Sequence, residues 1–146
     1  MSEIQDLNKP GVYATYEADD RIIYVTYSGI LTGEATRHYY QWLTQQLSGI
    51  ISEVRGSVFD FRAVEEITSA NTRTITQSSH GVHRNIDLRH IGVALIARDH
   101  YQEHLLRITA DMTPNPHTKR VVHSMGDALE YIREWSDTLN AHDQLA

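Results

Sequence analysis

The chain lacks cysteine entirely and has only three prolines and two lysines among its 146 residues. The absence of cysteine excludes disulfides, thiolate nucleophiles and cysteine-based zinc sites, and it fits a reducing compartment. No apolar run is typical of a signal peptide or a membrane span, so we expect a cytoplasmic protein without a membrane span. A formal net charge of −6 argues against nucleic-acid binding, which requires a cationic surface.

The composition that remains is that of an ordinary globular protein. Apolar residues make up 40% and charged residues 22% of the chain, and its length suits one domain with its own core. We therefore predict a single domain over residues 1–146, with a core from about residue 11 to 140. Eleven of the thirteen cationic residues are arginines, the side chain best suited to binding carboxylates and phosphates.

Two apolar segments predict the centre of the fold. Residues 56–67 and 90–97 each contain an apolar run and then become charged, and a segment of helical length separates them. This pattern is typical of parallel strands that are buried on both faces of a sheet. Residues 11–17 and 21–28 precede them and favour an antiparallel hairpin, because only Ala18-Asp19-Asp20 connects them. Residues 119–123 predict a short final strand.

Helical patterns fill the intervals between these strands. The resulting prediction is an α/β fold with an N-terminal hairpin, repeated β/α units, a mostly parallel five-stranded sheet and four helices. Thr32 is the expected N-cap of the first helix, Ser69 or Asn71 that of the second, and Asp99 that of the third. Ser124 begins a capping box for the last helix. The apolar stripe of the third helix consists of Tyr101, Leu105, Ile108 and Met112.

Charged and polar residues follow three of the predicted parallel strands. In open α/β sheets ligands bind beyond the carboxyl ends of the strands, so these residues predict a shallow anion-binding site. We call this set the strand-exit edge: Asp60, Arg62, Arg98, Asp99, His123 and Ser124. The alternative is structural, because an Asp60–Arg62 ion pair and helix caps at Asp99 and Ser124 require the same residue types.

The nine histidines suggest a metal site as a hypothesis, because histidine is a common metal ligand. His100 and His104 lie one helical turn apart, and His80 and His83 form a second pair. Neither pair has a third ligand that the sequence identifies, so we predict no metal and no cofactor. The sequence has no nucleophile elbow and no phosphate-binding loop either, and no catalytic residue is assigned.

Three segments carry a family resemblance: residues 29–32, residues 60–62 and residues 121–132. They resemble segments of the STAS and SpoIIAA-like family, which includes anti-sigma-factor antagonists, and the resemblance in element order runs from about Val12 to Trp135. It implies a domain that binds proteins, nucleotides or lipids. The antagonists carry an Asp-Ser-Ser-Gly-like turn whose second serine is phosphorylated. The corresponding residues 68–71 have Ala70 at that position, so we expect no phosphorylation switch here.

These observations favour a non-enzymatic, cytoplasmic regulatory or binding domain. It would recognise a partner protein or a small anionic ligand at the strand-exit edge. One alternative is a carrier that holds an apolar ligand or lipid between a helix and the sheet, and another is a small hydrolase that uses His123 or His83 with Asp60. We also expect a homodimer, because Tyr13, Tyr24 and Ile22 fall on the predicted outer face of the hairpin.

Overall fold

A computed structural model describes residues 3–145, without the side chains of Ser79, residues 83–85 and residues 142–145. Its centre is a six-stranded sheet in which the strands lie side by side in chain order. The strands are β1 (Leu7–Lys9), β2 (Val12–Glu17), β3 (Ile22–Leu31), β4 (Gly56–Ile67), β5 (Gly92–Ile96) and β6 (Lys119–Val122). The first three strands are antiparallel and the last four are parallel, which confirms the predicted mixed α/β fold.

β1 is the strand that the sequence analysis missed. The segment is polar, and only Leu7 of its three residues is buried, so periodicity gives too little signal over so short a stretch. Two hydrogen bonds to side chains much later in the chain hold the segment just before β1 in place. The indole Nε1 of Trp42 donates to the carbonyl oxygen of Gln5 at 2.7 Å, and the backbone N–H of Gln5 donates to the Gln46 side chain at 3.0 Å.

Four α-helices cover the two faces of the sheet. They are α1 (Glu34–Trp42), which continues as a π-helical turn (Leu43–Leu47), α2 (Ser69–Asn85), α3 (His100–Asp111) and α4 (Met125–Leu145). Short 3-10 turns occupy Ile51–Glu53 and Pro116–Thr118. Side chains from α1, α2 and α3 join one apolar cluster on one face of the sheet, whereas those of α4 join a second cluster on the other face.

The apolar residues Ala35, Tyr39 and Trp42 of α1 are buried, but two helix caps differ from the prediction. Gly33 rather than Thr32 is the N-cap of α1, with a φ of 108° that glycine adopts without strain. Thr68 rather than Ser69 or Asn71 caps α2, because its hydroxyl accepts from the backbone N–H of Asn71 at 3.2 Å. Asn71 is instead buried and its side-chain oxygen accepts from the hydroxyl of Thr36 on α1 at 2.6 Å.

The orientation of α3 differs most from the expectation. A helix normally turns its apolar stripe to the core, yet the stripe of α3 contains three exposed side chains: Tyr101, Ile108 and Met112. The face that packs inward is shifted by one residue along the chain, so that Gln102, Leu106 and Thr113 are buried instead. The reason is Gln102, whose side-chain N–H donates to the carbonyl oxygen of Phe61 at 2.9 Å and so turns this face towards β4.

The outer face of the hairpin also differs from its prediction. Ile22 is only 1% exposed, because it packs in the cluster beneath α4. The hydroxyl of Tyr24 donates to Asp20 at 2.8 Å, which leaves Tyr13 as the exposed member of the three residues. Ile22 therefore no longer supports the homodimer, which stays a prediction. Within the described residues, no helix is both long and apolar enough to span a membrane.

Candidate functional site at the strand-exit edge

Strand register brings the predicted site residues to one edge of the sheet. Asp60 on β4 pairs with Ile96 on β5, and Ile96 pairs with Val122 on β6. The residues that follow Ile96 and Val122, including Arg98 and His123, therefore lie near the level of Asp60. The structure places all six predicted residues at this edge, and their hydrogen bonds divide them into smaller groups.

Asp60 and Arg62 form a two-pronged ion pair. The guanidinium of Arg62 donates from Nε to Oδ1 of Asp60 at 3.0 Å and from Nη2 to Oδ2 at 2.9 Å. Partial burial of Asp60 opposes its ionisation, but the hydrogen bonds from Arg62 outweigh it and hold the pKa of Asp60 below its usual value. A small anion at Arg62 would have to compete with this carboxylate.

Arg98 and Asp99 fasten α3 to the sheet. Nη1 of Arg98 donates to the carbonyl oxygen of Val64 at 2.7 Å, and its Nε donates to Asp99 at 3.1 Å. Asp99 accepts from the backbone N–H of Gln102 at 2.8 Å, which makes it the N-cap of α3 as predicted. This backbone hydrogen bond, followed by that from Arg98, lowers the pKa of Asp99. Both side chains thus have structural partners.

His123 lies in a second group with two residues of α3. Its Nε2 contacts Oε1 of Glu103, and its ring lies 5.9 Å from the ring of His100. The hydrogen bond with His123 is the main cause that lowers the pKa of Glu103, and Arg107 contributes with a contact of 3.0 Å from its Nε to Oε2. Ser124 accepts from the backbone N–H of Asp127 at 3.1 Å and so caps α4.

Glu103 belongs to this group, although the sequence analysis did not single it out. Glu103 lies three residues after His100 in a predicted helix, so the spacing alone indicates that the two side chains share one face of that helix. His104, the partner that the sequence suggested for His100, does not lie with His100, Glu103 and His123, whose potential metal-ligating atoms are close together.

The hydrolase alternative finds little geometric support. The carboxylate of Asp60 is engaged by Arg62, and the imidazole of His123 contacts Glu103 rather than Asp60. The side chain of His83 lies outside the described residues.

An apolar surface on α3 adjoins the strand-exit edge. We call it the α3 stripe, and it consists of Tyr101, Leu105, Ile108 and Met112. Tyr101, next to the charged group in the first turn of the helix, is 74% exposed. Ile108 and Met112 are about half exposed, whereas Leu105 is partly buried. The edge thus combines an apolar strip with charged neighbours.

Two adjoining cavities lie between the sheet and the helices on the α1–α3 face. Their volumes are about 70 and 80 Å³, and both are lined by Lys119 together with apolar and aromatic side chains: Tyr39, Tyr40, Phe59 and Val93. The amine of Lys119 donates to Thr113 at 2.5 Å and to the carbonyl oxygen of Pro114 at 2.7 Å. Burial lowers the pKa of Lys119 to about 8.

Comparison with known proteins identifies the fold. The chain is similar to an uncharacterised DUF3478-family protein with a SpoIIAA-like fold from Shewanella loihica, at 18% identity and a TM-score of 0.57, over 90% of this chain and 98% of that one. It is also similar to the anti-sigma-factor antagonist SpoIIAA in its unphosphorylated form, at 12% identity and a TM-score of 0.53, over 84% and 97% of the two chains. No family model and no curated protein matches the sequence. The chain therefore has a SpoIIAA-like fold.

Proposed function

We propose that this SpoIIAA-like domain is a non-enzymatic regulatory module that binds a partner protein at the strand-exit edge and the adjoining α3 stripe. One observation carries the proposal: an apolar stripe that begins at the exposed ring of Tyr101 follows directly on the charged residues Arg98 and Asp99. Protein interfaces combine an apolar centre rich in aromatic residues and Met with a polar rim that contains arginine. The α3 stripe and its neighbours have this composition.

A partner protein fits this edge better than a free small anion. The guanidinium groups of Arg62 and Arg98 each have a carboxylate partner, Asp60 and Asp99 respectively. An anionic ligand would have to displace these carboxylates, whereas a protein surface can contact the outer faces of the pairs without breaking them. The resemblance to anti-sigma-factor antagonists, which act through partner proteins, is consistent with this preference.

The proposal is tested first by photo-crosslinking in cells that produce the protein. A photoreactive amino acid replaces Tyr101 in one variant and Glu130, an exposed residue of α4, in a control variant. We expect the same partner to be captured repeatedly from position 101 and not from position 130. Capture from position 130 alone would contradict the proposed location.

The captured partner is then purified and its affinity is measured by calorimetry. We expect Tyr101→Ala together with Ile108→Ser to weaken binding about tenfold or more, the loss that follows truncation of an aromatic anchor. The control is Leu129→Ala, which truncates an exposed apolar side chain on α4. Equal affinity of the double variant and the unaltered protein would overturn the proposal.

The cavities support a second function, that of a carrier for a small apolar ligand. Each is about half the size of a 150 Å³ engineered cavity that accepts benzene, so one aromatic ring would need both adjoining cavities and a lipid chain would require them to open. Lys119 would favour a ligand with one acidic group. A thermal-shift comparison of benzoate with benzyl alcohol tests this idea, because a bound ligand must raise the melting temperature. We expect stabilisation by benzoate in the unaltered protein but not in Lys119→Met, and no shift with either compound would rule this carrier function out.

A further inference from the structure

We propose that His100, Glu103 and His123 form a site for a divalent zinc ion, with one coordination position left open. The ligating atoms of these three side chains all lie within 4.8 Å of one another. The sequence analysis predicted no metal because His100 and His104 lacked a third ligand. The structure instead joins His100 to two residues that the sequence did not connect with it. This inference is independent of the proposed partner binding.

The distances require only a modest side-chain movement. Zinc binds imidazole nitrogen and carboxylate oxygen at about 2.0–2.2 Å, so two ligands of a tetrahedral site lie about 3.4 Å apart. His123 and Glu103 are in direct contact and would separate slightly to admit the ion, and the ring of His100 stands 5.9 Å from that of His123. His100 is exposed in the first turn of α3, so its ring can rotate towards the other two without disturbing the core.

The backbones that carry the three ligands are firmly held. Asp99 caps the first turn of α3, and the buried side chain of Gln102 donates to Phe61 on β4. His123 directly follows β6, where the carbonyl oxygen of Val122 accepts from the backbone N–H of Ala97 at 2.8 Å. A site built on fixed elements loses little conformational freedom when it binds a metal.

The chemistry of the donor set favours zinc over the lighter divalent ions. Two imidazoles and one carboxylate suit zinc and its neighbours among the transition metals, whereas magnesium and calcium prefer oxygen ligands alone. Arg107 contacts Oε2 of Glu103 at 3.0 Å and so can orient the carboxylate while Oε1 faces the metal. A zinc ion that is held by two histidines and one glutamate and keeps its fourth position open is a known arrangement in proteins.

The test is calorimetric titration of the untagged chain with zinc chloride, since a histidine tag would itself bind the metal. We expect one zinc ion per chain and no binding of magnesium chloride. Binding should be lost in His123→Ala and in Glu103→Gln. It should persist in His104→Ala, an exposed histidine on the same helix that is not a member of the site.

Cobalt provides a second, spectroscopic readout that reports the coordination geometry of the bound metal. Four-coordinate cobalt gives intense visible absorption, which we expect in the unaltered protein and in His104→Ala but not in His123→Ala. Far-ultraviolet circular dichroism verifies that each variant is folded. Absence of zinc binding, or binding that survives in His123→Ala but disappears in His104→Ala, would overturn the proposal, the latter because it would assign the metal to the helical pair His100 and His104.

Discussion

Replacing Gly92 by alanine tests how closely α4 packs on the sheet. A Cβ atom at position 92 would lie 2.8 Å from Cδ1 and 2.9 Å from Cγ of Trp135. Carbon atoms without a bond between them are most favourably placed at about 3.5–4.0 Å, so the overlap is severe. The indole cannot easily retreat, because its Nε1 donates to the carbonyl oxygen of His90 at 3.0 Å. We therefore expect α4 to be pushed away from β5.

The expected magnitude follows from two opposing effects. Overfilling a packed core costs about 1–3 kcal/mol. Replacing a glycine in a strand by alanine recovers roughly 0.5–1 kcal/mol of conformational entropy. The free energy of unfolding should therefore fall by about 1–2 kcal/mol, which for a chain of this length lowers the melting temperature by about 2–4 °C per kcal/mol.

A matched control predicts the opposite sign for the same chemical change. Gly81 lies within α2, and a Cβ atom there would meet no heavy atom within 4 Å. Alanine in a helix interior is favoured over glycine by about 0.8–1 kcal/mol, so Gly81→Ala should stabilise the protein. Urea unfolding followed by far-ultraviolet circular dichroism measures both variants, since the Trp135 fluorescence would itself change. A common m-value would show that only stability has changed.

The contact with Trp135 can be isolated by a double-mutant cycle. In a Trp135→Leu background the overlap is relieved, so Gly92→Ala should cost less by about 0.5 kcal/mol or more. An equal cost in both backgrounds would show that the indole is not the cause. A Gly92→Ala variant as stable as the unaltered protein would refute the packing argument altogether.

The remaining predictions concern Gln102, Lys119 and the segment around Ala70. Gln102→Leu leaves the carbonyl oxygen of Phe61 without its side-chain donor, so the free energy of unfolding in urea should fall by about 1–3 kcal/mol. The exposed control Gln41→Leu should change it by no more than about 0.5 kcal/mol, and an equally small change in Gln102→Leu would contradict this. Because burial lowers the pKa of Lys119 to about 8 from 10.5, the unfolded chain binds the proton more tightly, and stability should rise with pH from about 8 to 10. That rise should be absent in Lys119→Met, and a rise that persists there would assign it to other groups. Since Ala70 offers no hydroxyl, intact-mass measurement of protein from its own cells should show no phosphate; stoichiometric phosphate on Ser69 with loss of partner binding would disprove this.

Much of the fold could be predicted because its signals are local. The alternation of apolar runs with helical patterns determines the order of the β/α units, and Asp99 and Ser124 cap helices as their positions suggested. The shared position of Asp60, Arg98 and His123 at one edge of the sheet follows from the rule that parallel strands end on the same side. Each of these inferences needs only neighbouring residues and a general rule of topology.

Other features could not be predicted because they depend on residues far apart in the chain. The side chain of Gln102 turns inward to reach Phe61, 41 residues earlier, and apolar periodicity gives no weight to a glutamine. Glu103 and His123 are 20 residues apart and meet only because α3 packs beside β6. Sequence spacing accordingly suggested the pair His100 and His104, whereas tertiary packing places His100 near Glu103 and His123.

A difference in strand length explains the positions of Arg98 and Gln102 beside the end of β5. β5 ends at Ile96, level with Asp60, while β4 continues to Ile67. The carbonyl oxygens of β4 beyond that level need other donors, because an unsatisfied buried carbonyl costs about 1–3 kcal/mol. Arg98 and Gln102 supply them at Val64 and Phe61. The polarity of Arg98 and Gln102 therefore serves the sheet, and the exposed side chain of Tyr101 is the better candidate for recognition.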